Sequence, residues 1–266
     1  MIPRVAVVVF PGTNSEDETV RALVAVGIDA EAVHWSRGAA ALRSFDAFVL
    51  PGGFAYEDRV RAGAVAAHDE TMDAVVSAAQ AGKFVVGICN GAQVLLESGL
   101  VPGTGPLRRP TAAFAPNASG RFASQHVYVK LVVPPGRVPV VGGLPADAVL
   151  PGWASHAEGR LAASDAELDR LERDGHIAFV YCDAHGERVA APNGSARGAA
   201  AVTNRDGNVI AIMPHPERDA WTFMHRDGDA ATAAARGNAR AMLAPSGGIR
   251  FFEAFAAGLA GAFAAK

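Results

Sequence analysis

RVAVVVF (4–10) is a continuous β-branched run of the kind found in a strand buried on both faces, and FDAFVLPGG (45–53) and FVVGIC (84–89) read as further strands. DAEAVHW (29–35) reads as another strand. Helical patterns fill the intervals. Ser15-x-x-Glu18 has the form of a capping box opening a helix that stops at Gly27. AVAAHDETMDAVVSAAQAGK (64–83) is an Ala-rich helix, and NGAQVLLESG (90–99) a third that ends at Gly99. This regular alternation predicts an α/β fold: an open, mostly parallel twisted sheet with helices on both faces. Such sheets bind ligands beyond the carboxyl ends of their strands. Gly52, Gly53 and Cys89 all fall at such ends.

Beyond residue 100 the texture turns to Pro, Gly and irregular apolar pieces, with QHVYVKLVV (125–133) the clearest strand. Ser164-x-x-Glu167 repeats the capping-box pattern. HIAFVYCDAHG (176–186) and GAAAVTNRDGNVIAIMPHPE (198–217) read as strands, the latter folded at Asp206-Gly207 into a hairpin. Without a repeat or a linker, residues 1–266 are expected to form a single domain with a C-terminal extension from about residue 220. IRFFEAFAAGLAGAFAAK (249–266) is expected to close the fold as an amphipathic helix, and 227–248 to be a mobile loop.

Lys and Arg number 24 against 27 Asp and Glu, so no basic surface points to nucleic acid or an anionic membrane. No apolar run approaches the roughly 18 residues of a membrane span. The N-terminal apolar run breaks at Pro11-Gly12 and reads as a strand rather than a signal peptide. Two cysteines make no disulfide framework, which places the chain in a reducing compartment, the cytoplasm. Sequons at Asn117 and Asn193 then carry no glycan.

Gly87-Ile88-Cys89-Asn90-Gly91 joins a buried strand to a helix and has the form of a nucleophile elbow. Side chains at either glycine would collide with the neighbouring strand and helix. The turn would expose the thiol at a helix N-terminus, which favours thiolate, with the Asn90 N–H placed for an oxyanion. Taken alone, Cys89 could equally be a small buried hydrophobe; Cys182 has no comparable context and reads as structural. A nucleophilic cysteine needs a base and an orienter. In IMPHPER (212–218), Pro216 keeps His215 extended, so His215 and Glu217 share a face. No further ligands appear at metal-binding spacing, so no metal site is expected.

Together these motifs resemble the class I (triad) glutamine amidotransferases, and within them the purine-biosynthetic branch. PGTNSEDET, PGGFAYEDRVRAGAVAA, GICNGAQVL, NASGRF, WASHAEGR, PNGS and GNVIAIMPHPER stand in that branch's order across residues 4–218. The resemblance implies a flavodoxin-like fold with Cys89 as nucleophile, His215 as base and Glu217 as its orienter. It further implies an oxyanion hole from the N–H groups of Gly53 and Asn90, and substrate contacts at Gln93 and Gly52. The implied substrate is L-glutamine, cleaved to glutamate and ammonia through a thioester. The implied partners are a separate synthetase subunit of the PurL type, which would hold ATP and magnesium, and a small accessory subunit of the PurS type; this chain itself would carry no cofactor. Ser155-His156-Ala157-Glu158-Gly159 and Ala191-Pro192-Asn193-Gly194 depart from the branch's usual Ala-His-Gly-Glu-Gly and Asn-Pro-Asn-Gly. Both loops are expected at the partner face or ammonia route, with His156 and Glu158 secondary to the chemistry. The alternatives are a glutaminase serving another synthetase and a non-catalytic stress or chaperone protein of the same fold. A protein of the latter kind has no need of the His215–Glu217 pair.

Overall fold

The computed structural model describes residues 2–225 and 234–264. Strands β1 (Arg4–Val9), β2 (Asp29–His34), β3 (Ala47–Leu50) and β4 (Phe84–Ile88) form where the apolar runs predict them. They pair in parallel in the order β2-β1-β3-β4. Further along the chain come β5 (Ala112–Pro116), β6 (Ala123–Leu131), β7 (Val149–His156), β8 (Glu158–Ala163), β9 (Ile177–Cys182), β10 (Ala199–Thr203) and β11 (Val209–Ile212). The large sheet continues from β4 as β11-β10-β9-β6-β7. β11 is still parallel to β4, and every later neighbour is antiparallel. The sheet is thus mixed, and the strands that precede Gly52-Gly53 and Cys89 lie in its parallel half. β5 and β8 form a separate two-stranded ribbon.

Helices α1 (Glu16–Ala25), α2 (Glu70–Gln80), α3 (Asn90–Glu97) and α4 (Asp165–Arg173) precede a closing helix α5 (Ile249–Ala264). The step from β1 through α1 to β2 runs one way along the sheet, and the step from β3 through α2 to β4 runs the other. Right-handed crossovers therefore put α1 and α2 on opposite faces. β3, β4, β9, β10 and β11 are buried at every residue, as coverage of both faces requires. α5 packs against α1 and inserts Phe251, Phe252, Phe255 and Leu259 into the same hydrophobic core as the sheet.

Several local expectations need correction. α2 begins at Glu70, not at residue 64, because the Asp69 carboxylate accepts the Thr71 N–H (2.7 Å) and caps the helix there. Ser164 caps α4 as expected, accepting the Glu167 N–H. Ser15 precedes α1 without capping it: its hydroxyl is taken by Arg218, 2.9 Å away, and Glu18 faces the same guanidinium. β5, β7 and β8 lie in the stretch that reads as irregular. β7 does alternate, with every second residue buried, but Pro151-Gly152 interrupts its sequence, which is tolerated because β7 is an edge strand. Of the loop expected over 227–248, residues 227–233 lie outside the described residues. The rest holds a helical turn, Ala239–Met242, capped by Asn238.

Candidate active site

Cys89 follows the last residue of β4 and precedes the first of α3, with φ +50° and ψ −108°. A left-handed φ at a non-glycine residue is costly and persists only where the surroundings enforce it. Here they do. A Cβ on Gly87 would stand 2.6 Å from the Gly91 carbonyl oxygen, and one on Gly91 would run into the Leu50 carbonyl of β3. The two glycines let strand and helix close on each other, and the turn between them lifts the thiol to the helix N-terminus. Every residue of α3 is buried.

The register of β4 with β11 brings the second half of the site to the first. Ile88 pairs with Ile212, and the Cys89 N–H donates to the Ile212 carbonyl (2.8 Å). Three residues further, His215 forms a backbone bridge with Trp153 of β7, donating its N–H to the Trp153 carbonyl (2.8 Å). His215 is 1% exposed and Glu217 is fully buried. His215 Nδ1 is hydrogen-bonded to Glu217 Oε1. Among the described residues His215 Nε2 has no hydrogen-bond partner, and the imidazole faces the charge of Cys89.

Charge follows geometry. Burial opposes the Cys89 thiolate, but the charge of His215 and the nearby imidazole of His156 outweigh it, lowering the thiol to about 6. Burial likewise opposes the His215 imidazolium, and the facing charges of Glu217 and the thiolate raise it to about 9. At neutral pH the pair is thiolate and imidazolium, the state a cysteine nucleophile requires. The cavity above it has a volume of about 240 Å³. Gly53, Asp58, Gln93, His156, Glu158 and Arg218 are among its lining residues.

These observations meet the comparison with known proteins. The CobB/CobQ-like glutamine amidotransferase domain family matches residues 2–244. Phosphoribosylformylglycinamidine synthase subunit PurQ of Methanothrix thermoacetophila is 38% identical over 225 residues, covering 81% of this chain and 86% of that one. The PurQ subunit of Thermus thermophilus is 41% identical over 216 residues, covering 81% and 89%. The chain belongs to the PurQ family. A chain in the structure of PurLQS from Thermotoga maritima superimposes on this member of the PurQ family with a TM-score of 0.73 at 27% identity, covering 96% of this chain and 98% of that one.

Within this PurQ-family site most of the expected residues lie around Cys89, with some changes of position. Gly53 lines the cavity and Asn90 stands behind the lining residues, where its Oδ1 accepts the Ala55 N–H (2.8 Å) and ties the loop after β3 to the start of α3. Gln93 lines the cavity, held by Asn90 Nδ2 (3.0 Å) and by its own bond to the Glu158 carbonyl (2.6 Å). Gly52 lies behind His215 instead of among the lining residues, and its missing side chain makes room for the imidazole. Residues 155–159, expected at the partner face or the ammonia route, stand beside the thiol: the Ser155 carbonyl is 3.7 Å from Cys89 Sγ. His156 is buried there, its ring seated against Gly159 and its Nε2 held by Asn193 Nδ2 (3.1 Å). Asn193, a formal sequon, is fully buried.

Asp58 and Arg218 carry no signal in their local sequence. Asp58 closes a run of left-handed residues, Tyr56, Glu57 and Asp58 at φ +54°, +60° and +51°. Burial, with the charge of Glu158 adding to it, pushes its carboxyl up to about 6, against a hydrogen bond from Asn90 (2.9 Å). Arg218 reaches Ser15 and Ser155 across the cavity wall (2.9 and 3.1 Å).

Proposed function

We propose that this chain hydrolyses L-glutamine at Cys89 and passes the ammonia to a separate ATP-dependent synthetase subunit, which converts formylglycinamide ribonucleotide to formylglycinamidine ribonucleotide in purine biosynthesis. The observation that carries this reading is the charged pair of Cys89 and His215, with Glu217 holding the far nitrogen of the imidazole. The thiolate attacks the side-chain amide carbon of glutamine, and the carbonyl electron pair moves to oxygen. The N–H groups of Gly53 and Asn90 receive that oxyanion. The tetrahedral adduct collapses as His215 gives its proton to the leaving nitrogen, releasing ammonia and leaving a γ-glutamyl thioester. Neutral His215 then takes a proton from water, whose oxygen attacks the thioester. Glutamate departs and the thiolate returns.

Gln93 helps shape the pocket for the substrate side chain. The two catalytic half-steps use protein groups and water, so the chain needs no cofactor for them; ATP and magnesium act on the synthetase. That partner is a subunit of the PurL type, and a small accessory subunit of the PurS type completes the assembly. Both cysteines are free, and no helix among the described residues is long and apolar enough to cross a membrane. A reducing cytoplasm suits the thiolate.

The test compares nitrogen donors in the assembled complex. Cys89→Ala is expected to abolish glutamate release and glutamine-dependent amidine formation while leaving ammonia-dependent formation intact. Glutamine-driven turnover surviving in Cys89→Ala would remove Cys89 from the chemistry. Equal loss with both donors would overturn the ammonia-supply role.

A further inference from the structure

Away from the glutamine cavity, three ligand-type side chains from distant parts of the chain converge on one buried point. Asp219 ends the turn Glu217–Asp219 and is fully buried. His126 stands on β6, and His225 ends the turn that follows Trp221. His126 Nε2 lies 3.1 Å from Asp219 Oδ2, and His225 Nδ1 lies 2.6 Å from Oδ1. One ligand atom from each residue can be chosen so that all three fall within 4.8 Å of one another. None of the three lines the glutamine cavity.

We propose that His126, Asp219 and His225 bind one divalent transition-metal ion of the zinc class. Two imidazoles and a carboxylate are the borderline ligands such ions select, at roughly 2.0–2.2 Å from the metal. Tetrahedral bonds of that length put ligand atoms about 3.3 Å apart, so small side-chain rotations close the set. A fully buried carboxylate needs compensating charge, and the ion supplies it. The ligands are also oriented from behind. Ser246 Oγ lies 2.6 Å from His225 Nε2; a proton held there leaves the Nδ1 lone pair turned inward. The His126 ring is fixed edge-on by Tyr128 and Trp153, with centroids 5.0 and 5.7 Å away. The His225 side chain is 18% exposed, which gives an ion a path from solvent. Three protein ligands leave a fourth position for water.

The ion would fasten β6, the turn just past the catalytic Glu217, and the start of the segment that leads to α5. His126 precedes Asp219 by 93 residues, so no ligand spacing in the sequence announces the site. The competing arrangement is a metal-free network in which both histidines donate to Asp219.

Cobalt(II) titration of the chelator-treated full chain separates the two. The assay uses a Cys89→Ala background, because a thiolate beside imidazoles could itself hold metal. One cobalt ion per chain should bind, with visible d–d absorption and no thiolate charge-transfer band, and zinc should displace it. His225→Ala and His126→Ala should each lose that saturable binding while keeping the parent circular-dichroism spectrum. Asp219→Asn provides a nearly isosteric third variant if an alanine substitution unfolds the chain. No stoichiometric binding in Cys89→Ala, or binding unchanged in all three ligand variants, overturns the site.

Discussion

Gly52→Ala isolates the geometry of the catalytic histidine from its chemistry. Gly52 has a backbone conformation open to any residue, so alanine introduces one methyl group and no backbone strain. That methyl would sit 3.3 Å from His215 Nδ1 and overlap Cε1 outright. Restoring an ordinary carbon–carbon separation of roughly 3.5–4 Å pushes the ring back by about 1 Å. Misplacing a catalytic group by that distance costs on the order of 10²-fold in rate, about 2.7 kcal/mol of barrier. The expected result is kcat for glutamate release down about a hundredfold, with KM nearly unchanged because Gly52 is not a lining residue. Steady-state glutamate release by the assembled complex reads both constants. Ammonia-dependent amidine formation serves as the control for assembly. Gly136→Ala, where a methyl group meets open space and a permitted backbone, should match wild type. A folded Gly52→Ala protein whose kcat stays within about threefold of wild type would refute the packing argument, since the expected loss is far larger.

The pH profile follows from the same pair. Thiolate accumulates above about 6 and imidazolium persists below about 9, so kcat/KM for glutamine should form a bell with limbs near those values. Glu217→Gln removes the charge that supports imidazolium, so the alkaline limb should move down; an unmoved limb would contradict the assigned role. His156→Ala removes an imidazole that helps lower the Cys89 thiol, and the acidic limb should move up. Iodoacetamide alkylation rates against pH report that thiol directly. An unchanged midpoint would leave His156 a packing residue only.

The parallel half of the fold was legible because β1, β3 and β4 are rich in apolar residues and helical patterns separate the strands; β2, at the sheet edge, is mostly exposed and carries the weakest pattern. Gly87 and Gly91 announced the elbow for a physical reason the structure bears out: neither position has room for a Cβ. His215 and Glu217 were legible as a pair, but the extended chain expected between them is not what joins them: Pro216 is helical (φ −69°, ψ −31°), and the turn it opens brings the Glu217 carboxylate back to the imidazole. Asp58 and Arg218 were not, because what brings them to the cavity is tertiary. Arg218 depends on Ser15, and Ser15 gave up its capping bond to meet it. The same diversion explains why the capping-box pattern misled at α1 and held at α4, where Ser164 has no rival partner. β7 escaped notice because Pro151-Gly152 breaks its pattern at a sheet edge. The approach of residues 155–159 to Cys89 was not legible, because nothing local says that β7 will carry them back over the thiol.

The pairing of Ile88 with Ile212 has a bearing on synthesis. The ribosome extends Cys89 well before His215 exists, and β11 must then find β4 across everything made in between. Contacts of such separation form late. Until they do, Cys89 is an ordinary thiol, mostly protonated near neutral pH. A half-made chain therefore carries little thiolate to be oxidised or alkylated. The reactive sulfur comes into being when β11 pairs with β4 and its imidazole arrives.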